Sequence, residues 1–288
     1  MSQTNNVFYS GWSPSPPDHR DHIYSAPQTV ELPAKIHLCS PRLPAPFEPT
    51  WNQGSLGSCG PQSAAKDIVF AGLRQRGLDS VTMPSRLFIY YCTRLLMGTL
   101  NQDSGVTNRA LLKSLAQYGW CDEPLWPYDI GQFKVKPSAE CFRQAEGRKI
   151  DEYLSVRQDL DQMRGCLAAG DPFIFGFSVY ESLQSDAVAR TGDVPMPSRS
   201  ERLRGGHDVL VVGYDDELKR FIFVNSWGPQ WGDDGYGTIP YDYAVNPQLA
   251  GDFWTVRFEK EPSPVPPLPT RTITISGASK IYIDGKEI

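Results

Sequence analysis

Histidine is scarce in this chain, with four in 288 residues, and no apolar run approaches the roughly twenty residues that a membrane-crossing helix needs. No membrane span is expected. Basic residues are not in surplus either, since 28 Lys and Arg stand against 33 Asp and Glu for a formal net charge of −5. That balance leaves no cationic footprint for nucleic acid and no polybasic patch for an anionic membrane, so neither is an expected partner. The opening MSQTNNVFYSGWSPSPPDHRDHIYS lacks both the basic start and the apolar core of a secretory signal. None of the six cysteines, at 39, 59, 92, 121, 141 and 166, falls in a C-x-x-C pair. Buried reduced thiols in a cytoplasmic monomer are therefore the expectation, rather than a disulfide framework. His19 and His22 have a loosely metal-like spacing, but no carboxylate or cysteine set surrounds them on a regular element, and no metal or cofactor is expected.

What the chain does contain is organised around Gln53 to Ala65, a glycine-rich loop that delivers Cys59 to the start of a helix. Apolar residues recur at Ala64, Ile68 and Gly72 and at Ala65, Val69 and Leu73, a period that predicts a helix buried on one side, with Gly77 as its stop. Pro61 suits the first helical turn, where its missing N–H costs nothing. A thiol at the positive end of a helix ionises more readily, and the thiolate is the nucleophile.

Residues 1 to 40 form a proline-rich N-terminal extension, expected to be extended and, through Phe8, Tyr9, Trp12 and Tyr24, to pack on the body. From 41 to 130 the pattern is mainly helical, with helices predicted from Pro84 to Gly98 and from Thr107 to Gly119. Between 131 and 260, after a short helix at Ala139 to Glu146 and another capped by Ser155 and ended by Gly170, the pattern turns to strands at 173–179, 208–214, 220–225 and 252–258. Residues 181 to 206 are polar and read as a mobile excursion. A stiff linker at 262–269 and a short hairpin over 272–283 complete the division into an extension, a helical subdomain, a β subdomain and a C-terminal piece, an α+β arrangement.

A cysteine nucleophile needs a base within hydrogen-bond reach and a third group to orient that base. Taken alone, Cys59 and His207 read as buried structural residues. His207, however, follows Gly205 and Gly206 and opens an apolar strand, and Asn225 opens the block Asn225-Ser226-Trp227-Gly228-Pro229-Gln230-Trp231-Gly232. Three blocks in this order, Gln53 to Ala65, Gly205 to Tyr214 and Phe223 to Gly237, resemble the papain-like cysteine peptidases, over roughly residues 11 to 258 and closest to the bacterial branch without a signal.

The resemblance implies a two-subdomain papain-like fold, with a helical left subdomain, a β-barrel-like right subdomain and the active-site cleft between them. It implies Cys59, His207 and Asn225 as the catalytic set, with Gln53 as an oxyanion donor and Trp227 covering the histidine–asparagine contact. It also puts Ser104, Gly105 and Val106, within Asp103 to Thr107, on the wall that pairs with substrate backbone. Gly206, Trp227 and Trp231 border the same cleft. The partner implied is a peptide or protein substrate, and the N-terminal extension is expected to lie across or near the cleft as a restraint. Two other functions stay open at this point: an acyltransferase or amidase acting on a non-protein amide with the same triad, and a catalytically silent peptide-binding module.

The chain departs from the pattern at three positions. Leu56 stands for a cysteine that is disulfide-bonded in secreted relatives, Gly60 for a tryptophan, and Asp208 for a small apolar residue after the histidine. No counterpart of the helical propeptide is visible. A carboxylate beside His207 is expected to perturb its titration.

Overall fold

The computed structural model describes residues 11–26, 31–39, 51–74 and 81–258, and the strand residues 273–276, 280–283 and 286–287. Phe8, Tyr9, the stop expected at Gly77 and the linker at 262–269 lie outside them. The chain divides into two units, Met1–Phe258 and Glu259–Ile288.

In the first unit the elements run β1 (Lys35–His37), α1 (Cys59–Arg74), α2 (Arg86–Met97), α3 (Asn108–Tyr118), α4 (Ala139–Glu146), β2 (Glu152–Ser155), α5 (Leu160–Ala168), β3 (Phe173–Tyr180), α6 (Asp186–Thr191), β4 (Leu203–Asp215), β5 (Arg220–Val224), β6 (Tyr236–Pro240), α7 (Tyr241–Ala244) and β7 (Ala250–Arg257). The second unit is an antiparallel sheet of β8 (Ile273–Ser276), β9 (Lys280–Ile283) and β10 (Lys286–Glu287), with β9 in the middle.

The helices begin and end where capping chemistry dictates. Ser85 accepts from the Phe88 amide to start α2, and Gly98 closes it in the left-handed conformation at φ 73°. Thr107 caps α3 by accepting from Ala110. The cap of α5 is Asp159 rather than Ser155, because Ser155 is the last residue of β2 and pairs with Trp254 of β7. Helix α1 is buried from Cys59 to Gly72 on every face, not on one side, since it is wedged between α2 and α3 and the sheet. Its polar residues Gln62, Lys66 and Asp67 are thereby carried into the interior.

Seven strands form one antiparallel sheet in the order β2-β7-β3-β4-β5-β6, with β1 added against β4. Alternation along β3 and β4 divides their side chains between two cores. Phe173, Phe175, Phe177, Val209 and Val211 enter an aromatic core that also holds Phe221, Phe223 and Phe253, with Phe175 stacked on Phe253 at 5.1 Å and 9°. Ile174, Leu210 and Val212 face the other way, onto α1. Burying one such aromatic or aliphatic side chain contributes about 1.5–3 kcal/mol, so the sheet is held from both faces.

Two stretches differ from the sequence reading. Strand β4 starts at Leu203, because Leu203, Gly205 and Gly206 pair with Tyr180, Val179 and Ser178 of β3. Residues 181–191 are not an irregular excursion but a 3-10 turn and α6, with Ser185 as the α6 cap. All six cysteines are free and buried.

Candidate active site

Cys59 is the first residue of α1 and is fully buried. Its loop is fixed from several sides. The Gly57 amide donates to both carboxylate oxygens of Asp103, at 3.0 and 3.1 Å, and Tyr90 donates its hydroxyl to the same carboxylate at 2.5 Å. Tyr128 donates to the Gln53 carbonyl at 3.0 Å, and the Gln53 amide donates to the Ser226 carbonyl at 2.9 Å. The Gln53 side chain lies buried between Leu56, whose carbonyl accepts from Nε2 at 3.0 Å, and Ser226, whose hydroxyl donates to Oε1 at 2.7 Å. One residue, Asp103, thus ties the 103–106 loop to the cysteine loop, while Gln53 ties the cysteine loop to the block that follows Asn225.

His207 and Asn225 meet across adjacent strand ends, with Nε2 and Oδ1 2.8 Å apart. The orientation of the asparagine amide is not arbitrary, because the Ser226 backbone N–H also donates to Oδ1 at 2.8 Å. Oδ1 is therefore the acceptor in both contacts, and His207 Nε2 must carry the proton. The other ring nitrogen, Nδ1, then holds a lone pair and has no hydrogen-bond partner among the described residues. Trp227 stacks on the imidazole at 4.4 Å and 25°, and Trp231 abuts Trp227 edge-on at 5.3 Å. Behind them, Lys66 of α1 is buried and donates Nζ to the Asn225 carbonyl at 2.5 Å.

The extension threads this site. The Gly11 carbonyl accepts from Val106 at 2.7 Å, Ser13 donates to the Val106 carbonyl at 3.1 Å, and Trp12 donates to the Gly206 carbonyl at 3.5 Å, so Trp12 forms a parallel bridge with Val106. Gly105 has to be glycine here, since it sits at φ +66° and a Cβ would lie 2.2 Å from the Gly11 carbonyl oxygen. Further along, Arg109 forms an ion pair with Asp21 at 2.5 Å and reaches the Pro16 carbonyl. Ser104 turns its hydroxyl to Thr99 and its own neighbour's carbonyl rather than outward.

Electrostatics differ from the thiolate expected at a helix start. Burial pushes the Cys59 thiol up to about 12, helped by the neighbouring Asp208 carboxyl wherever that group ionises and opposed by backbone hydrogen bonds from Gly11, Asp208 and Gly60. Burial likewise lowers His207 to about 4, against the hydrogen bond to Asn225 and with the help of Lys66. With the extension in place both groups are neutral at pH 7. The helix-terminal field is present but is outweighed by desolvation.

The structure brings Cys59, Gln53, His207, Asn225, Trp227 and Trp231 into one linked arrangement, and puts Val106 and Gly206 on either side of Trp12. It adds Lys66, Asn108 and Asp252, which have no role in the sequence reading, and seats Trp12, expected to pack on the body, beside the site. A glycine inside strand β3, Gly176, was the available signal for a close approach by another segment, and that segment is Trp12. Among the described residues no cluster of three or more His, Cys, Asp or Glu is placed to hold a metal, and no helix is long and apolar enough to cross a membrane.

Comparison with known proteins bears on the family and the fold. Residues 39–250 match the family model described as papain family cysteine protease. An uncharacterized peptidase C1-like protein of Acanthamoeba polyphaga mimivirus is 39% identical over 219 residues, covering 73% of this chain and 70% of that protein. Among solved structures, xylellain, a cysteine protease from Xylella fastidiosa, superposes with a TM-score of 0.79 at 38% identity, over 89% of this chain and 98% of its own. A procathepsin B from Trypanosoma congolense, at 18% identity and a TM-score of 0.67 over 86% of each chain, shares the fold.

Proposed function

This chain belongs to the papain family of cysteine proteases, hydrolases of peptide bonds, and we propose that Cys59, His207, Asn225 and Gln53 perform its reaction while residues 11–15 restrain it. The observation that carries the assignment is the fixed tautomer of His207. Asn225 Oδ1, already committed to the Ser226 amide, holds the proton on Nε2 and leaves Nδ1 as the base.

In the uncovered enzyme Nδ1 takes the Cys59 proton, and the thiolate attacks the peptide carbonyl carbon. The carbonyl π electrons move onto oxygen, where the Cys59 backbone N–H and the Gln53 side-chain amide stabilise the charge. Collapse of the tetrahedral species breaks the C–N bond, and His207 delivers its proton to the leaving amine. The same histidine then deprotonates water, which attacks the thioester and returns the thiol. Trp227, buttressed by Trp231, excludes water from the His207–Asn225 contact. The backbone of Ser104, Gly105 and Val106 forms one wall for substrate, and the Gly206 carbonyl faces it.

The restraint is supported by the same contacts. Gly11 bonds the thiol and Val106, the groups a substrate needs, and so occupies both while Cys59 lies buried. Turnover of a fluorogenic peptide library tests both parts. Cys59→Ala and His207→Ala should abolish turnover, and Gln53→Ala should lower kcat by about 10²–10³. Trp12→Ala should raise it. Full peptide hydrolysis by Cys59→Ala would sink the assignment, and unchanged turnover in a folded Trp12→Ala protein would remove the restraint.

A further inference from the structure

The peptide group between Leu56 and Gly57 is held at both ends. Its carbonyl oxygen accepts from Gln53 Nε2 at 3.0 Å, and its N–H donates to both carboxylate oxygens of Asp103, at 3.0 and 3.1 Å. In a trans peptide, the form that bonds not involving proline take, the carbonyl and the N–H point in opposite directions within one plane. Gln53 and Asp103 therefore grip opposite edges of a single planar group, and turning that group breaks both contacts at once. The Ser58 amide also donates to the Leu56 carbonyl, at 2.7 Å, which joins the same peptide to the residue before Cys59.

The far end of the Gln53 amide is set by Ser226, whose hydroxyl donates to Oε1 at 2.7 Å. Nε2 carries two N–H bonds in the plane of the side-chain amide, so committing one of them to Leu56 fixes the direction of the other. That second N–H is the oxyanion donor in the reaction proposed above. Asp103 is supported in turn from α2. Tyr90 donates its hydroxyl to Oδ1 at 2.5 Å and accepts from the Gly105 amide at 3.2 Å, so the carboxylate and its own loop are held together. Arg94, one helical turn further on and fully buried, covers the Tyr90 ring at 4.2 Å. It donates to the Leu100 and Gln102 carbonyls at 2.8 and 3.2 Å and to the Phe133 carbonyl, bracing the turn that presents Asp103. A carboxylate acceptor makes the bond to a backbone N–H roughly twice as strong as a neutral one. It also polarises the peptide, which strengthens the bond that the Leu56 carbonyl accepts from Gln53.

We propose that Asp103 is a positioning residue for the oxyanion site, acting on Gln53 through the Leu56–Gly57 peptide, with Tyr90 holding the carboxylate in place. The inference rests on the peptidase reading above, in which Gln53 donates to the oxyanion. Asp103 acts through another residue rather than on the reacting atoms. Its effect falls on the step in which negative charge builds on the substrate carbonyl oxygen, because that is where the Gln53 donor is used. Without Asp103 the peptide turns about its flanking bonds, the Gln53 amide loses a fixed partner, and its second N–H spends time away from the oxyanion.

The test takes the full-length chain carrying Trp12→Ala as parent and measures kcat and KM on a fluorogenic peptide. Asp103→Ala should lower kcat by about tenfold with KM little changed, a smaller loss than the roughly 10²–10³ of Gln53→Ala. Asp103→Asn, which keeps a side-chain oxygen for Gly57 and Tyr90, should recover most of that loss. Tyr90→Phe, which leaves the carboxylate without its hydroxyl partner, should lose a few-fold. The discriminating measurement is a double-mutant cycle. In a Gln53→Ala background, adding Asp103→Ala should lower kcat no further, because the donor that Asp103 positions is gone. Alkylation of Cys59 by iodoacetamide builds no oxyanion, so its rate should be the same in the parent and in Asp103→Ala. An Asp103→Ala protein with the kcat of the parent, losses that multiply in the cycle, or an alkylation rate that falls together with kcat would overturn the positioning role and leave the peptidase reading standing. If the parent cleaves no peptide and its Cys59 resists iodoacetamide, the peptidase reading falls and the positioning role with it.

Discussion

Asn108, at the start of α3, donates its side-chain amide to the carboxylate of Asp208 at 2.6 Å, joining the helical subdomain to the strand that carries His207. The contact links two of the departures noted in the sequence. Gly60 has no side chain, and the space beside it is taken by Val106, Leu111 and the Asn108 amide oxygen. The asparagine and the aspartate together fill polar volume next to Cys59. Asp208 is fully buried, and burial raises its carboxyl well above the usual range, with Asn108 and Ser63 opposing. A raised folded-state value contributes stability below the unfolded value near 3.8, and that contribution is lost as pH rises. Asp208→Asn should therefore gain thermal stability over the wild type progressively from about pH 4 upward. A difference in Tm that is flat between pH 4 and 8 would show that Asp208 is not held protonated.

Lys66 presents the opposite case on the same helix. Burial lowers it to about 7, and Arg86 adds to the shift. Its contribution to stability is full above the unfolded value of 10.5, is lost as pH falls toward 7, and is flat below that. Lys66→Met, similar in length and without the charge, should match the wild type most closely at high pH and exceed it increasingly down to pH 7. Its catalytic consequence has the other sign, because Lys66 is a positioning residue that holds the Asn225 carbonyl. We expect kcat to fall by about tenfold with KM little changed. Equal losses in both constants would point to a general structural effect instead.

How far the sequence can be read is shown by particular residues. The end of α2 and both ends of α3 were visible because Gly98, Thr107 and Gly119 act on atoms three or four positions away. The Ser155 cap failed because a long-range partner, Trp254 in β7, claims that residue for a strand. Leu203 to Gly206 looked irregular for the same reason, since a glycine pair carries little strand preference until β3 pairs with it. Within the site, Cys59, Gln53, His207 and Asn225 could be named from three ordered blocks. Lys66, Asn108 and Asp252 could not, since each acts through a contact more than a hundred positions distant. The suppressed thiolate was equally invisible: a helix start argues for a low value, and only the burial of Cys59 in the folded chain reverses it.

Arg109 anchors the extension through Asp21 and the Pro16 carbonyl while its guanidinium lies over the Trp254 ring at 5.6 Å. Arg109→Ala removes the ion pair and leaves the catalytic set untouched. A partly exposed pair of this kind contributes about 1 kcal/mol or less, so the extension should dissociate a few-fold more often. Initial rates on a peptide substrate should rise by that factor, and limited proteolysis within residues 16–26 should quicken. Unchanged rates with faster proteolysis would separate the anchor from the restraint.

The thiol itself provides the most direct readout. In the chain with residues 11–15 in place burial pushes Cys59 up to about 12, so its alkylation by iodoacetamide should climb steadily from pH 7 to pH 10 without a plateau. Only the ionised form reacts, and at neutral pH it is scarce. Trp12→Ala loosens the segment that brings Gly11 over the sulfur, so water and the imidazole Nδ1 gain access and the thiolate–imidazolium pair can form. In that variant the profile should show a plateau beginning at lower pH, and alkylation at pH 7 should be faster by at least tenfold. Because Asn225 holds the imidazole, Asn225→Ala combined with Trp12→Ala should lose the plateau again. Identical pH profiles for the wild type and Trp12→Ala would mean that the extension does not set the ionisation of Cys59, and that burial by the two subdomains alone accounts for it.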